Sequence, residues 1–183
     1  MEVTEVFPSA VLRCDLTEAV DDIVKKKIDN IAQNMCDDIY SCDARWSKDK
    51  LNDILELAKF DDLKKKVVEC FTEMSGIYGA LNLNKMNSFL INIPKNGYLD
   101  VRKSFNSTFT SVINFSEERE IMITNPSVYT LALGYETAEP NRYNSQYGLF
   151  SIPKYGMIIL PSNIYYGFRK ENQETNLLIT SIS

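Results

Sequence analysis

The sequence contains no histidine in its 183 residues. Histidine is the commonest metal ligand among side chains and the usual general base near neutral pH. Its absence excludes a Ser-His-Asp triad, a Cys-His pair and every metal site that needs an imidazole. This exclusion follows from the residue count alone and holds for any fold.

Several other functional signals are also absent. No apolar run approaches the roughly 20 residues that span a bilayer, and no signal-peptide pattern opens the chain, so we expect no membrane association and no signal-peptide secretion. Neither a Gly-x-x-x-x-Gly-Lys-Ser/Thr loop nor a Gly-x-Gly-x-x-Gly turn occurs, which leaves nucleotide binding without support. The net charge of −5 argues against a nucleic-acid surface.

Cysteine is sparse and shows no metal or redox spacing. The four cysteines are Cys14, Cys36, Cys42 and Cys70, and none forms a Cys-x-x-Cys pair. We expect all four to be reduced thiols. Cys70 falls within an apolar helical stripe, so we interpret it as a small buried hydrophobe.

The residues that are present indicate a single α+β domain over 1–183. Residues 1–84 predict a helical front with short N-terminal strands, and 85–183 predict a β-body. Helical periodicity covers residues 17–34, 47–58 and about 61–81. The front is acidic, since residues 1–82 hold 11 Lys and Arg against 17 Asp and Glu.

From Met86 onward the apolar period changes from helical to alternating. The predicted strands are 86–93, 98–102, 109–115, 120–124, 127–135, 148–152, 157–160, 165–169 and 176–182. Asn96-Gly97, after the first of them, is a hairpin signal. Short strands at close spacing after helices favour a β-sandwich or barrel with the helices packed on one side.

The run from Gly156 to Tyr166 carries a more specific pattern. It resembles the Gly-x-hydrophobic-x-Phe-Pro-Ser-x-x-x-His stretch of the phage-type iron- and 2-oxoglutarate-dependent oxygenases, with Pro161-Ser162 matching and Leu160 in place of the phenylalanine. Similar family phrases are Phe7-Pro8 and the Lys95-Asn96-Gly97 turn. The resemblance implies a mainly β, double-stranded β-helix (jelly-roll) with N-terminal helices packed on one side.

The resemblance also implies that this chain is a degenerate member without the metal ligands. The two ligand positions of the first motif fall near Lys103 and Phe105, and the last histidine position falls on Tyr166. The arginine that binds 2-oxoglutarate in the family is replaced by the stretch 175–177. We therefore expect no catalysis, metal or cofactor, with Phe105 and Tyr166 filling the former pocket and Lys103 reaching solvent.

The predicted function is a protein-interaction or structural component in a homo- or hetero-oligomeric assembly. The family's frequent occurrence in tailed phages indicates a virion part, in a neck, tail or baseplate, located in the virion or the host cytoplasm. Candidate interaction residues are Val3 and Val6, on a predicted edge strand, and Tyr143 and Tyr147, in the irregular stretch 136–147.

Two alternatives remain open at this stage. One is a divergent 2-oxoglutarate-dependent oxygenase whose metal site uses Tyr166, Asp100 or Glu120 in place of histidine. The other is a small intracellular regulator that binds one host protein, for which the sequence cue is the acidic helical front.

Overall fold

The computed structural model describes residues 2–6, 9–37, 43–47, 53–79, 85–103, 106–124 and 147–183, with the backbone alone at 2–6, 9, 10, 37 and 101. Within these ranges the chain forms twelve strands, three α-helices and one short 3₁₀ helix. No helix in the described ranges is long and apolar enough to cross a membrane.

The strands fall into two antiparallel sheets. Their bounds are β1 (Glu2–Val6), β2 (Ser9–Asp15), β3 (Cys36–Asp37), β4 (Arg45–Trp46), β5 (Met86–Ile93), β6 (Leu99–Arg102), β7 (Phe109–Asn114), β8 (Arg119–Thr124), β9 (Tyr147–Ile152), β10 (Gly156–Pro161), β11 (Tyr166–Phe168) and β12 (Thr175–Ile182). The large sheet has the order β1-β2-β10-β7-β12-β5-β4-β3, and the small sheet has the order β6-β11-β8-β9.

The helices cover one face of the large sheet. They are α1 (Asp22–Gln33), α2 (Ile54–Leu57) and α3 (Asp61–Tyr78), preceded by the 3₁₀ turn Thr17–Ala19. The longest, α3, buries most of the apolar stripe that the sequence predicts, namely Leu63, Val67, Cys70, Phe71 and Met74. The end of the predicted stripe differs, since Ile77 and Tyr78 are each 42% exposed and Leu81 lies outside the described residues. A stripe at three- and four-residue spacing holds one side of a helix against a sheet.

The large sheet therefore separates two apolar cores. Along β10, Met157 and Ile159 belong to the core beneath the helices, whereas Ile158 and Leu160 belong to the core between the two sheets. Every residue of β10 is buried. Because successive side chains of a strand point to opposite faces, burial of both faces produces a continuous apolar run.

The helix starts differ from the sequence prediction. The Asp15 carboxylate accepts bonds from the backbone N–H and the hydroxyl of Thr17, which makes a local turn. The helix itself begins later, where Asp21 accepts from the backbone N–H of Val24. Of the predicted helix over 47–58, the described residues contain α2, which is capped by Asp53, and residues 48–52 lie outside them. Several side-chain oxygens near the start of a helix can accept a hydrogen bond from its first backbone N–H groups. The apolar period does not show which of these side chains becomes the helix cap.

The predicted hairpin at Asn96-Gly97 is wrong. The turn exists, with Asn96 at φ 61° and the Gly97 N–H bonded to the Pro94 carbonyl. However, β5 lies in the large sheet and β6 in the small sheet, so the turn crosses between layers. The strands predicted from Met86 onward agree with the structure to within one residue at each end, except that the predicted strand 127–135 lies outside the described residues. The short strands β3 and β4 were not predicted from the sequence.

A buried arginine closes one end of the sandwich. Arg119 is 1% exposed. Its guanidinium donates to the Arg169 carbonyl at 2.6 Å, to the Thr175 hydroxyl at 3.0 Å and to the Gln173 carbonyl at 3.4 Å. Burial lowers the pKa of Arg119, and the Glu171 carboxylate, 3.4 Å away, opposes that shift. The side chain thus fixes the loop between β11 and β12.

Replacing Arg119 with methionine should destabilise the protein by about 3 kcal/mol, because buried carbonyl and hydroxyl groups lose their donors. Urea unfolding measures this. The matched control is Arg169→Met, whose exposed side chain only covers the Tyr147 ring and should cost less than about 1 kcal/mol. Equal losses for the two variants would show that the Arg119 network does not stabilise this loop.

Candidate functional site

The end of the small sheet where β6 meets β11 contains the position at which the resemblance expects a metal. In the antiparallel register Tyr166 lies opposite Arg102 on β6 and opposite Ile123 on β8. Directly opposed residues project from the same face of a sheet. The side chains of Tyr166 and Ile123 belong to the core between the sheets.

Tyr166 fills this position as a neutral side chain. It is 2% exposed. Burial raises the pKa of its phenol to about 12, and the positive charge of Arg102 acts in the opposite direction. A phenol with this pKa is protonated at neutral pH, so Tyr166 supplies an apolar body and a hydroxyl group and does not supply an anionic ligand.

Arg102 links the two sheets at this position. Its guanidinium carbon lies 4.6 Å from the ring centroid of Trp46, which belongs to β4 in the large sheet. Trp46 in turn packs on Phe89 at 5.2 Å between ring centroids. Because Arg102 is only partly buried, this cation–π contact should contribute about 1 kcal/mol. Trp46 is 6% exposed and belongs to the two-residue strand β4, so it is a buried anchor of the large sheet.

The other sequence candidates do not join Tyr166. The Lys103 ammonium lies 5.1 Å from the ring centroid of Tyr165, the neighbour of Tyr166 on the chain. Asp100 and Glu120, which the alternative oxygenase hypothesis needs in the pocket, are exposed. Phe105 lies outside the described residues. The structure thus places Arg102 next to Tyr166, whereas the resemblance put a ligand position near Lys103.

The Pro161-Ser162 step is held by hydroxyl and backbone contacts. The Ser162 N–H donates to the Thr108 carbonyl. The Ser162 hydroxyl lies 2.8 Å from that of Ser107 and 3.3 Å from that of Thr110. These contacts attach the turn between β10 and β11 to the start of β7, and they set where Tyr166 enters the small sheet.

The residues at this end do not fit an iron centre. A facial triad needs two imidazoles and a carboxylate with open positions, and the sequence has no histidine. In the described part of the chain no group of three or more Cys, Asp or Glu side chains could hold a metal ion. The cation of Arg102, whose charge acts on Tyr166, would also repel a divalent metal.

The described residues do not reproduce the arginine that binds 2-oxoglutarate in the family. The position that the resemblance assigns to it is occupied by Thr175, at the start of β12. A guanidinium does reach Thr175, but it comes from Arg119 on β8, a strand of the small sheet. The Arg119 guanidinium also donates to the backbone carbonyls of Arg169 and Gln173, so it is bonded to groups of the protein itself. Arg119 was missed from sequence because its partners lie far along the chain.

The candidate interaction residues lie on different strands. Tyr147 opens β9, is 41% exposed and lies under the Arg169 guanidinium, 4.7 Å from its carbon. Val3 and Val6 lie in β1, the end strand of the large sheet. Tyr143 lies outside the described residues. The proposed interaction surfaces therefore remain Tyr147 and the edge strand.

Comparison with solved structures establishes the fold. The chain is similar to a prolyl-4-hydroxylase from Pseudomonas putida, with TM-score 0.57 and 9% identity over 94% of this chain and 91% of that one. It is similar to a 2OG-Fe(II) oxygenase-family oxidoreductase from Burkholderia pseudomallei, with TM-score 0.60 and 10% identity over 94% and 84% of the two chains.

A third similar structure is a prolyl hydroxylase from Trichoplax adhaerens in complex with a hypoxia inducible factor oxygen degradation domain peptide fragment. Its TM-score is 0.59, with 6% identity over 94% of this chain and 82% of that one. No family model matches the sequence, and no curated protein matches it. The predicted jelly-roll of the 2OG-Fe(II) oxygenase type is confirmed as a fold, and the loss of ligands stays a prediction.

The buried phenol of Tyr166 should make stability fall at alkaline pH. An unfolded tyrosine ionises near 10.0 and folded Tyr166 near 12, so the unfolded state loses its proton first as the pH rises. Between about pH 9 and about pH 11, wild type should lose about 1.3 kcal/mol more than Tyr166→Phe. Urea unfolding of both proteins across this range measures the difference, and parallel curves would contradict the burial of Tyr166.

Proposed function

We propose that this protein is a non-catalytic member of the oxygenase-type jelly-roll that acts by binding other proteins. The observation that carries the proposal is the pair Tyr166 and Arg102 at the expected metal position. One is a protonated phenol and the other a cation, and together they offer iron no anionic or imidazole ligand.

The neighbours' fold does not argue against this proposal, because a fold supports many functions and chemistry depends on the site. Here the site is filled from both sheets, by Tyr166 and Ile123 from one and by Trp46 from the other. A packed aromatic and aliphatic interior stabilises the sandwich. The proposed binding of other proteins then uses residues on the surface of the molecule.

The edge strand β1 is the surface that we assign to binding. Among the described strands, β1 pairs with β2 alone, from Glu2↔Arg13 to Val6↔Ser9, and it stands at one end of the large sheet. Backbone N–H and C=O groups along an edge accept another strand readily. Exposed Tyr147 provides a second contact point, since tyrosine is favoured at protein interfaces.

We extend the proposal to an assembly role in a tailed-phage particle on the ground of the sequence resemblance. Purified particles should then contain the protein in a fixed copy number. Its absence from them would leave the binding proposal with a host protein as the partner, in agreement with the acidic front of the sequence.

The competing proposal, a divergent oxygenase, is supported by the fold of the three similar structures. Native mass spectrometry under anaerobic conditions, with Fe(II) and 2-oxoglutarate added, separates the two. We expect a mass that does not change and no succinate. One iron per chain together with succinate formation would establish the oxygenase and refute the non-catalytic proposal.

Charged substitutions on β1 should weaken self-association or partner binding. Lysine on an edge strand discourages pairing with another chain, so Val3→Lys with Val6→Lys should reduce the subunit count measured by native mass spectrometry or light scattering. The matched control is Leu57→Lys, at an apolar side chain of α2 that is 60% exposed. An unchanged assembly in the β1 variant, or equal loss in the control, would exclude β1 as the contact.

A further inference from the structure

Strand β9 stands at one end of the small sheet. Among the described strands it pairs with β8 alone, from Arg119↔Ile152 to Thr124↔Tyr147. Edge strands commonly carry charged residues or proline, which discourage pairing with another chain. The sequence of β9, Tyr-Gly-Leu-Phe-Ser-Ile, contains neither. The β9 edge is therefore open to pairing and lacks these protections.

A hydrogen bond on the far side of β8 shows which backbone groups of β9 face the edge. The Thr124 N–H donates to the Tyr165 carbonyl, just before β11. The backbone of Thr124 therefore points away from β9, and the opposed residue Tyr147 belongs to a non-hydrogen-bonded pair. Because backbone direction alternates along a strand, the N–H and C=O groups of Tyr147 and Leu149 point out of the sheet.

A contact from the large sheet agrees with this direction. Ser151 lies two residues beyond Leu149, and its carbonyl accepts a hydrogen bond from the Arg13 guanidinium at 2.8 Å. Arg13 belongs to β2, so the Ser151 carbonyl points out of the small sheet. Tyr147, Leu149 and Ser151 thus form one outward row. Of the backbone groups in this row, only the Ser151 carbonyl has a hydrogen-bond partner in the described part of the chain.

Two side chains of the same row are apolar and exposed. Tyr147 is 41% exposed and Leu149 is 39% exposed. Side chains of directly opposed residues on neighbouring strands lie side by side. A strand added to β9 would bond to the outward N–H and C=O groups and would cover these two side chains with its own.

The outward row ends at a groove whose lining carries more positive than negative charge. The groove has a volume of about 430 Å³, and its charged lining residues are Arg13, Lys154 and Asp15, or two cations against one carboxylate. The Asp15 carboxylate already accepts two bonds from Thr17. The β9 carbonyl takes one of the five N–H donors of the Arg13 guanidinium. The groove therefore favours an acidic group of a ligand.

We propose that the β9 edge binds an extended segment of a partner protein as an added antiparallel strand. The outward row from Tyr147 to Ser151 covers about 13 Å, so a segment of about five residues matches it. An apolar residue of the segment lies opposite Leu149. An acidic residue at the N-terminal end of the segment enters the groove, because antiparallel pairing brings that end to Ser151. This inference rests on the proposed protein-binding function and specifies the form of the partner.

The test measures peptide binding to the full-length protein by fluorescence anisotropy. The probe is an acetylated octapeptide that begins with aspartate, continues with alternating valine and threonine, and carries fluorescein at its C-terminus. Two further peptides carry N-methyl groups on one or the other set of alternate backbone amides. We expect the original peptide to bind, one methylated peptide to lose binding, and the other to keep it, because only alternate N–H groups of the segment face β9.

Four protein variants locate the contact. Leu149→Lys should weaken binding about tenfold. The matched control Val68→Lys, at a side chain of α3 that is 41% exposed, should leave binding unchanged. Lys154→Met should weaken binding about threefold for the aspartate peptide and not for its asparagine counterpart. The β1 variant, Val3→Lys with Val6→Lys, should bind the peptide as wild type does.

Three results would overturn the proposal: no binding by wild type, equal loss with the two methylated peptides, or equal loss in Leu149→Lys and Val68→Lys. A wild-type dimer that Leu149→Lys dissociates in the absence of peptide would also overturn it, because a second copy of the chain would then occupy the edge. The β1 variant keeps this test separate from the proposed function. Failure at β9 leaves the assembly measured with β1 in place, and failure of that assembly leaves peptide binding at β9 in place.

Discussion

Burial of the large sheet on both faces is the constraint on which the rest of the structure depends. Strands β10 and β7 are fully buried, so one face must be covered by helices and the other by a second sheet. The helices supply the first cover with the stripe of α3, and the small sheet supplies the second with Ile121 and Ile123. Each cover removes apolar surface that neither layer could bury alone.

The small sheet packs the interior of this oxygenase-type fold in a chain that contains no histidine. The position opposite β6 must be filled, because a void in a dry core costs packing energy. Tyr166 fills it with an aromatic ring, and Arg102 extends from β6 to the indole of Trp46. These contacts between the two sheets pack this end of the sandwich with aromatic side chains.

A buried polar group stabilises the other end of the sandwich. Arg119 is buried, and its guanidinium donates to the Arg169 carbonyl and the Thr175 hydroxyl. These bonds hold the loop before β12 to the small sheet, although the residues of that loop are exposed or half-buried.

The sequence by itself determined two things. The lack of histidine excluded imidazole chemistry, and the apolar periodicity located α3 and most strands, because burial of one or both faces leaves a local pattern in the chain. The contacts of Arg102 with Trp46 and of Arg119 with Thr175 were decided only by the tertiary structure. The two-residue strand β4 is too short to show a period, and Arg119 meets Thr175 across 56 positions. Local pattern reports which residues are buried, whereas the order of strands in the sheets decides which buried residues meet.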